Sequence, residues 1–377
     1  MKLLENERAA LHMFLPGLDE FLCGETLTDL ESAQSKGIAA FRGHRGPALL
    51  VPAEHSGSGV SALDAVRVQL AIGSRSPSLA VATTMHHFSV ASLVALSELS
   101  TGMEWMILEG VATNNLLVAS GFAEGRAGGA ILQPTMLTTM VDGGVRVTGV
   151  KRPCSLARSM DLLTASVQVP RLDGNGTQLA VALIPATSEG IEVTPFWSTF
   201  ALAGAESDQV SLTDVLVPND LLVRTELQPG ERLDDVQTTG FVWFELLMMA
   251  SYLGAAAALV ERVLDNERVP EAERARIVTD LLGAVAALEN IARQIPERQR
   301  DRNLLAESLF VRYAVQGAIA RIVPQAVELL GGLSFISSDD TGYLAAAVNG
   351  LGFHPPARTK MAAPLLGYLA GAPLEIA

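Results

Sequence analysis

The first candidate for chemistry is Glu245, a carboxylate set in the apolar run FVWFELLMMASYLGAAAALV from Phe241 to Val260. An ionised carboxylate among Trp243, Phe244, Leu246 and Leu247 is costly unless paired, so burial raises its pKa toward the range a general base needs. The alternatives are pairing with an arginine or a place in the polar first turn of the helix. The second candidate is His354 in Gly352-Phe353-His354-Pro355-Pro356. A neutral imidazole acts as a base near pH 7, and in a Pro-Pro turn it also serves as structure. His86 and His87 adjoin each other in TTMHHFSVASL but lack a third ligand of suitable type, which makes a poor metal site. Cys154 reads as a small buried apolar residue. Gly331-Gly332 either lets a backbone approach a phosphate closely or ends a helix.

These residues need three kinds of segment to hold them. From Leu3 to Leu108 apolar residues recur at helical spacing, as in SALDAVRVQLAIG and SVASLVALSEL, and no strand run stands out. From Leu116 to Val223 short β-rich runs follow one another, among them LLVASGFAE, VRVTGV, LLTASVQV and QLAVALIP. Asp142-Gly143-Gly144 and Asp173-Gly174-Asn175-Gly176 are turn chemistry for antiparallel strands. After TELQPGERLDDVQTT the chain is helical again, over Phe241 to Asn266, Ala272 to Ile295, Leu304 to Leu330 and Leu344 to Leu369. The expected domains are therefore 1–115 helical, 116–225 a β-sandwich or barrel, and 226–377 a helical bundle.

Composition narrows the function. The chain has 377 residues, 49% of them hydrophobic and 18% charged, which excludes a disordered chain and points to an oligomer. Lys and Arg total 27 against 41 Asp and Glu, giving a net charge of −14, and the basic residues are scattered, so nucleic-acid binding is not expected. Two cysteines are too few for a disulfide framework and suit a reducing cytoplasm. Phe241 to Val260 is long enough to span a bilayer, but Glu245 and the missing basic flanks argue for a helix inside a bundle rather than a membrane span.

The order helical, β, helical resembles the acyl-CoA dehydrogenase superfamily over essentially the whole chain, and local motifs agree. VPAEHSGSGVSALD is similar to the family's segment before its second long helix, and ASGFAEGRAGG to the strand and loop that touch the flavin. GVKRPCSLARSMDLL, SLTDVLVPNDLL and ELLGGLSF match further family motifs in the same order. The fold so implied is α+β: an N-terminal helical domain, a central β-domain and a C-terminal four-helix bundle. The resemblance implies a homodimer or homotetramer with flavin between the β-domain and the bundle. It assigns cofactor contacts to Phe122, Glu124, Gly129, Ser155, Arg268, Gly331 and Gly332, and the substrate side to His87 and Tyr252. Trp105 and Trp197 read as packing.

This sequence also departs from the family pattern. His354 stands where the dehydrogenases carry their C-terminal glutamate, and the monooxygenase branch has a His-x-Pro-like element in this region. Glu245 falls one residue after the glutamate that another branch places on the first long helix of the bundle. Arg268 is followed by Val269-Pro270-Glu271 instead of Phe-Gly, and Glu328 replaces a glutamine. A carboxylate beside a diphosphate repels it, so FMN or diffusible reduced flavin stands beside FAD as the expected cofactor. The favoured reaction is α,β-dehydrogenation of an acyl thioester on CoA or an acyl carrier protein, with Glu245 or His354 as base and an electron-transfer protein as acceptor. The alternatives are a two-component monooxygenase fed by a flavin reductase, and a flavin-less partner subunit.

Overall fold

The computed structural model describes residues 3–99, 102, 104–126, 132–171, 176–225 and 233–376. Seven helices come first: α1 Glu5–Phe14, α2 Leu18–Gly24, α3 Leu27–Glu31, α4 Gly37–Gly43, α5 Ala62–Arg75, α6 Pro77–Leu99 and α7 Glu104–Asn114. Eight strands follow: β1 Val118–Gly121, β2 Leu137–Val141, β3 Gly144–Cys154, β4 Leu162–Pro170, β5 Thr177–Pro185, β6 Ile191–Thr194, β7 Asp208–Pro218 and β8 Leu222–Arg224. The C-terminal third is α8 Asp235–Asp265, α9 Glu271–Arg298, α10 Arg302–Ser337, α11 Asp339–Ala347 and α12 Arg358–Leu369. The order helices, sheets, helices is that of the acyl-CoA dehydrogenase fold.

The strands form two four-stranded sheets, ordered β1-β4-β5-β8 and β2-β3-β7-β6. Only β1 and β4 run parallel; the other pairs are antiparallel. Asp142-Gly143 is the two-residue turn between β2 and β3, with Gly143 at φ 78°. The second expected turn, at 173–176, lies mostly outside the described residues.

α8 is the axis of the molecule. A capping box between Asp234 and Gln237 starts it, and its most apolar stretch is wholly buried in protein. Of the three helices long and apolar enough to cross a bilayer, the one containing Glu245 is thus a core helix. It crosses α5 at contact distance: a Cβ on Gly254 would lie 2.3 Å from the Leu70 carbonyl oxygen, and one on Gly73 2.3 Å from that of Ser251. Beside the crossing, Gln69 Nε2 donates to Ser251 Oγ at 3.0 Å and Thr84 Oγ1 at 2.9 Å.

The last expected helical region, Leu344 to Leu369, holds the end of α11, a 3-10 turn over Val348–Gly352 and α12. Residues 353–357 leave the helical path before α12, where Pro355 and Pro356 remove backbone donors. This break carries His354 inward. Gly331, at φ 78°, also breaks α10 into two helical pieces, beyond which Leu333, Phe335 and Ile336 are exposed.

Gly254→Leu should destabilise the fold by ~1–3 kcal/mol or more, since overpacking against a backbone oxygen cannot relax through a side chain. Thermal unfolding checks this; a melting temperature equal to the parent's would mean that α5 and α8 do not cross this closely.

Candidate active site

A cavity of about 190 Å³ opens between α6, the two sheets, α8 and the loop between α11 and α12. α6 contributes Met85, Ser89 and Ser92, which share one face at spacings of four and three residues. The sheets and their connections contribute Phe122, Ser155, Thr164, Trp197 and Ser207, and α8 contributes Gly240 and Phe244. His354 and Pro355 close one side. Among the described lining residues, His354 is the only titratable side chain.

His354 is held from behind. Its Nε2 lies 2.8 Å from the hydroxyl of Tyr252, which is fully buried on α8. The tautomer that satisfies both groups has the Tyr252 hydroxyl donating to Nε2, which puts the ring proton on Nδ1. Burial, aided by the Arg312 charge, pushes His354 down to about 3, so the ring is neutral at neutral pH. The Phe244 ring meets it edge-on at 6.2 Å.

Arg312 of α10 builds the loop. Its Nη1 donates to the Glu245 carboxylate at 2.9 and 2.7 Å and to the Pro355 carbonyl at 3.1 Å; its Nη2 donates to the carbonyls of Leu351 at 3.1 Å and His354 at 2.6 Å. Tyr313 adds a bond from its hydroxyl to the Pro356 carbonyl at 3.0 Å. Glu245 is thereby the counter-ion of a buried arginine. Burial raises its pKa and Arg312 draws it back. Its carboxylate does not line the cavity.

The remaining expected contacts separate into groups. Phe122 and Ser155 line the cavity with His354. Ser155 and Ser207 share a hydrogen bond of 2.9 Å, so one of the two hydroxyl hydrogens is left for a ligand. Glu124 is taken up internally: it accepts from the Thr135 amide at 2.9 Å and from Lys151 Nζ at 3.1 Å, and these bonds lower its pKa against the opposing effect of burial. Tyr252 stands one layer behind the cavity. His87 lies outside it, buried against Phe41 with neither ring nitrogen bonded. Arg268 is exposed in the turn between α8 and α9, and Gly331 and Gly332 lie at the break in α10; none of the three lines the cavity. Gly129 lies outside the described residues.

Sequence reasoning missed Arg312, Trp197 as a cavity wall, and the α6 hydroxyls. A lone basic residue in SLFVRYAVQGAIA carried the same signal that drew attention to Glu245 and was its natural partner. Among the described residues no cluster of three or more His, Cys, Asp or Glu could hold a metal.

No family model matches the sequence. Over 381 aligned residues it is 46% identical to isobutylamine N-hydroxylase of Streptomyces viridifaciens, covering 100% of both chains. The chain belongs to the acyl-CoA dehydrogenase-like flavoproteins. Among solved structures, nitrososynthase from Micromonospora carbonacea var. africana superposes with a TM-score of 0.81 at 18% identity, over 97% of this chain and 96% of the other. FMN-bound TdsC from Paenibacillus sp. A11-2 does so at 0.80 and 17% identity, over 100% and 99%. These two likenesses concern the fold. This member of the family is a flavin-dependent oxidoreductase. The cavity fits such a cofactor: Phe122, Pro153 and Trp197 offer apolar surface and the Ser155–Ser207 pair a free hydroxyl hydrogen, which suits a ring with one apolar and one hydrogen-bonding edge.

Two outcomes follow from these placements. Glu245→Ala leaves Arg312 buried without a counter-ion and should lower stability by ~3–5 kcal/mol, read by denaturant unfolding. Unchanged stability with lost turnover would instead make Glu245 a base. His87 is buried and pushed well below its usual value by burial, so the unfolded chain binds a proton below pH ~6.5 that the folded one does not. Stability attributable to this group therefore falls by about 1.4 kcal/mol per pH unit as pH drops below ~6.5. His87→Leu should lose less stability than the parent between pH 7 and 5; equal losses would show that His87 reaches solvent or a partner.

Proposed function

We propose that this flavoprotein is the oxygenase component of a two-component N-hydroxylase acting on a small primary alkylamine. The observation that carries the reading is that neither candidate base is free for an acyl α-proton. Glu245 is committed to Arg312, and the unprotonated Nε2 of His354 is engaged by the Tyr252 hydroxyl. An acyl-thioester dehydrogenation needs a strong base beside the α-carbon. An N-oxidation needs none, because the amine lone pair is already the nucleophile. The 46% identity to isobutylamine N-hydroxylase over the whole chain supports the same reading.

The balance is simple. One amine RNH2, one O2 and one reduced flavin give RNHOH, water and oxidised flavin. The bound flavin supplies the two electrons and the activation of oxygen, and a separate flavin reductase regenerates it. The chain's own residues do the rest. Met85, Phe88 and Phe244 exclude water from the cavity and favour an alkyl group. His354, fixed by Tyr252 and by the grip of Arg312 on its carbonyl, offers Nδ1–H as a donor to an oxygen atom in the cavity. Ser155 and Ser207 offer one further hydroxyl hydrogen to the flavin edge. FMN or FAD fits this account equally, since only the ring is addressed.

Purified protein supplied with FMN, NADH, a flavin reductase, oxygen and isobutylamine should form N-isobutylhydroxylamine, detected by mass spectrometry as a gain of one oxygen. His354→Ala should lower its rate ~100-fold, as expected for loss of a fixed donor at the reacting oxygen. Anaerobic reduction of the bound flavin by an acyl-CoA, with no amine oxidation, would overturn the assignment in favour of dehydrogenation.

A further inference from the structure

Three hydroxyls of the cavity, on Ser89, Ser92 and Thr164, have a common property. Ser89 Oγ donates to the Met85 carbonyl at 2.9 Å and lies 3.4 Å from Thr164 Oγ1, and Ser92 Oγ donates to the Phe88 carbonyl at 2.9 Å. Thr164 Oγ1 donates to the Ala119 carbonyl at 3.1 Å. Each hydroxyl has a single hydrogen and two lone pairs, so what these three present to a ligand is acceptor capacity. Ser89 and Ser92, three apart on α6, set two such acceptors on one helix face.

Most charges around the cavity are paired. Behind His354, Arg312 and Glu245 stand 2.7 Å apart. Behind β3, Lys151 and Glu124 are 3.1 Å apart, and beyond Ser207, Arg158 and Asp208 are 3.3 Å apart. Glu98, near the end of α6, pairs with Arg300, and Asp235 is exposed in the first turn of α8. Among the described lining residues none carries a negative charge.

Resting on the N-hydroxylase reading, we propose that the cavity takes its amine in the uncharged form, with the two N–H groups on Ser89 and Ser92 Oγ and the lone pair left free. An ammonium would have to shed its hydration shell with no carboxylate among the described wall residues to receive it, which is strongly unfavourable in an apolar cavity. It would also have no lone pair to react. A neutral primary amine brings two donors to two acceptors and turns its nucleophilic lone pair the other way. Ser89 and Ser92 are thus specificity residues for the protonation state of the substrate. The enzyme draws on the small neutral fraction of an alkylamine whose pKa, like that of a lysine side chain, is ~10.4.

The test uses the complete two-component system and two amines of one shape and different basicity, isobutylamine and a fluorinated analogue of lower pKa. For each, kcat/KM should rise tenfold per pH unit up to the pKa of that amine and then level, so the limb moves with the substrate. A limb at one fixed pH for both amines, or a flat profile, would overturn the proposal, since the first reports an enzyme group and the second an accepted ammonium. The double variant Ser89→Ala/Ser92→Ala should raise KM for the amine ~10-fold or more, as loss of two hydrogen bonds implies. A double variant with parental KM would refute the assignment of the two acceptors. If no amine is hydroxylated by the parent at any pH while flavin binds, the N-hydroxylase reading fails and this proposal fails with it. That result differs from one in which hydroxylation proceeds with the wrong pH dependence.

Discussion

One guanidinium holds the floor of the cavity together. Arg312 is inside the protein, and a buried charge must find both a counter-ion and a full set of acceptors. Glu245 supplies the charge, and three carbonyls from the loop after α11 supply most of the remaining acceptors. The loop cannot drift without stranding the arginine. This ties α8, α10 and the segment bearing His354 into one unit, and sets the imidazole against Tyr252 on the same α8. Glu245, a candidate base by composition, is the counter-ion of the arginine that holds the loop of the cavity-lining histidine.

A second buried carboxylate works by hydrogen bonds alone. Glu31 accepts from the hydroxyls of Ser76, Ser78 and Tyr343 and from the Ser78 amide, and burial raises its pKa against those bonds. It thereby fastens α3 to the start of α6 and to α11. Tyr343 in turn receives the Leu202 amide at 2.9 Å, and Leu202 is part of the cavity wall. The helical segments that flank the sheets are thus joined through polar groups beside the cavity.

Much of this architecture was legible in sequence because it follows local rules. Strand-like runs such as VRVTGV and QLAVALIP fall within β3 and β5, and Asp142-Gly143 marks a turn where Gly143 needs positive φ. β8 escaped notice because a three-residue strand has no periodicity to detect. The last helical region, Leu344 to Leu369, is interrupted where Pro355-Pro356 removes backbone donors, as a Pro-Pro turn implies. The site was half visible. His354 and Ser155 announced themselves by type and motif, and both line the cavity. The partnership of Glu245 with Arg312 spans 67 residues, and that of Ser89 with Thr164 spans 75, so no local pattern encodes either. Ser89 and Ser92 look like ordinary helix serines until the fold turns their face toward the cavity.

The self-satisfied hydroxyls also bear on how the cavity fills. Water entering a pocket is retained when it finds both donors and acceptors, about three partners per molecule. Here the wall is mainly hydrocarbon, and Ser89, Ser92 and Thr164 have turned their hydrogens to backbone carbonyls. On the α6 side resident water would find acceptors without a hydroxyl donor. Such loosely bound solvent leaves at little enthalpic loss, so a small amphiphile can displace it readily, and the space around the reacting atoms can become anhydrous without a lid having to close over it.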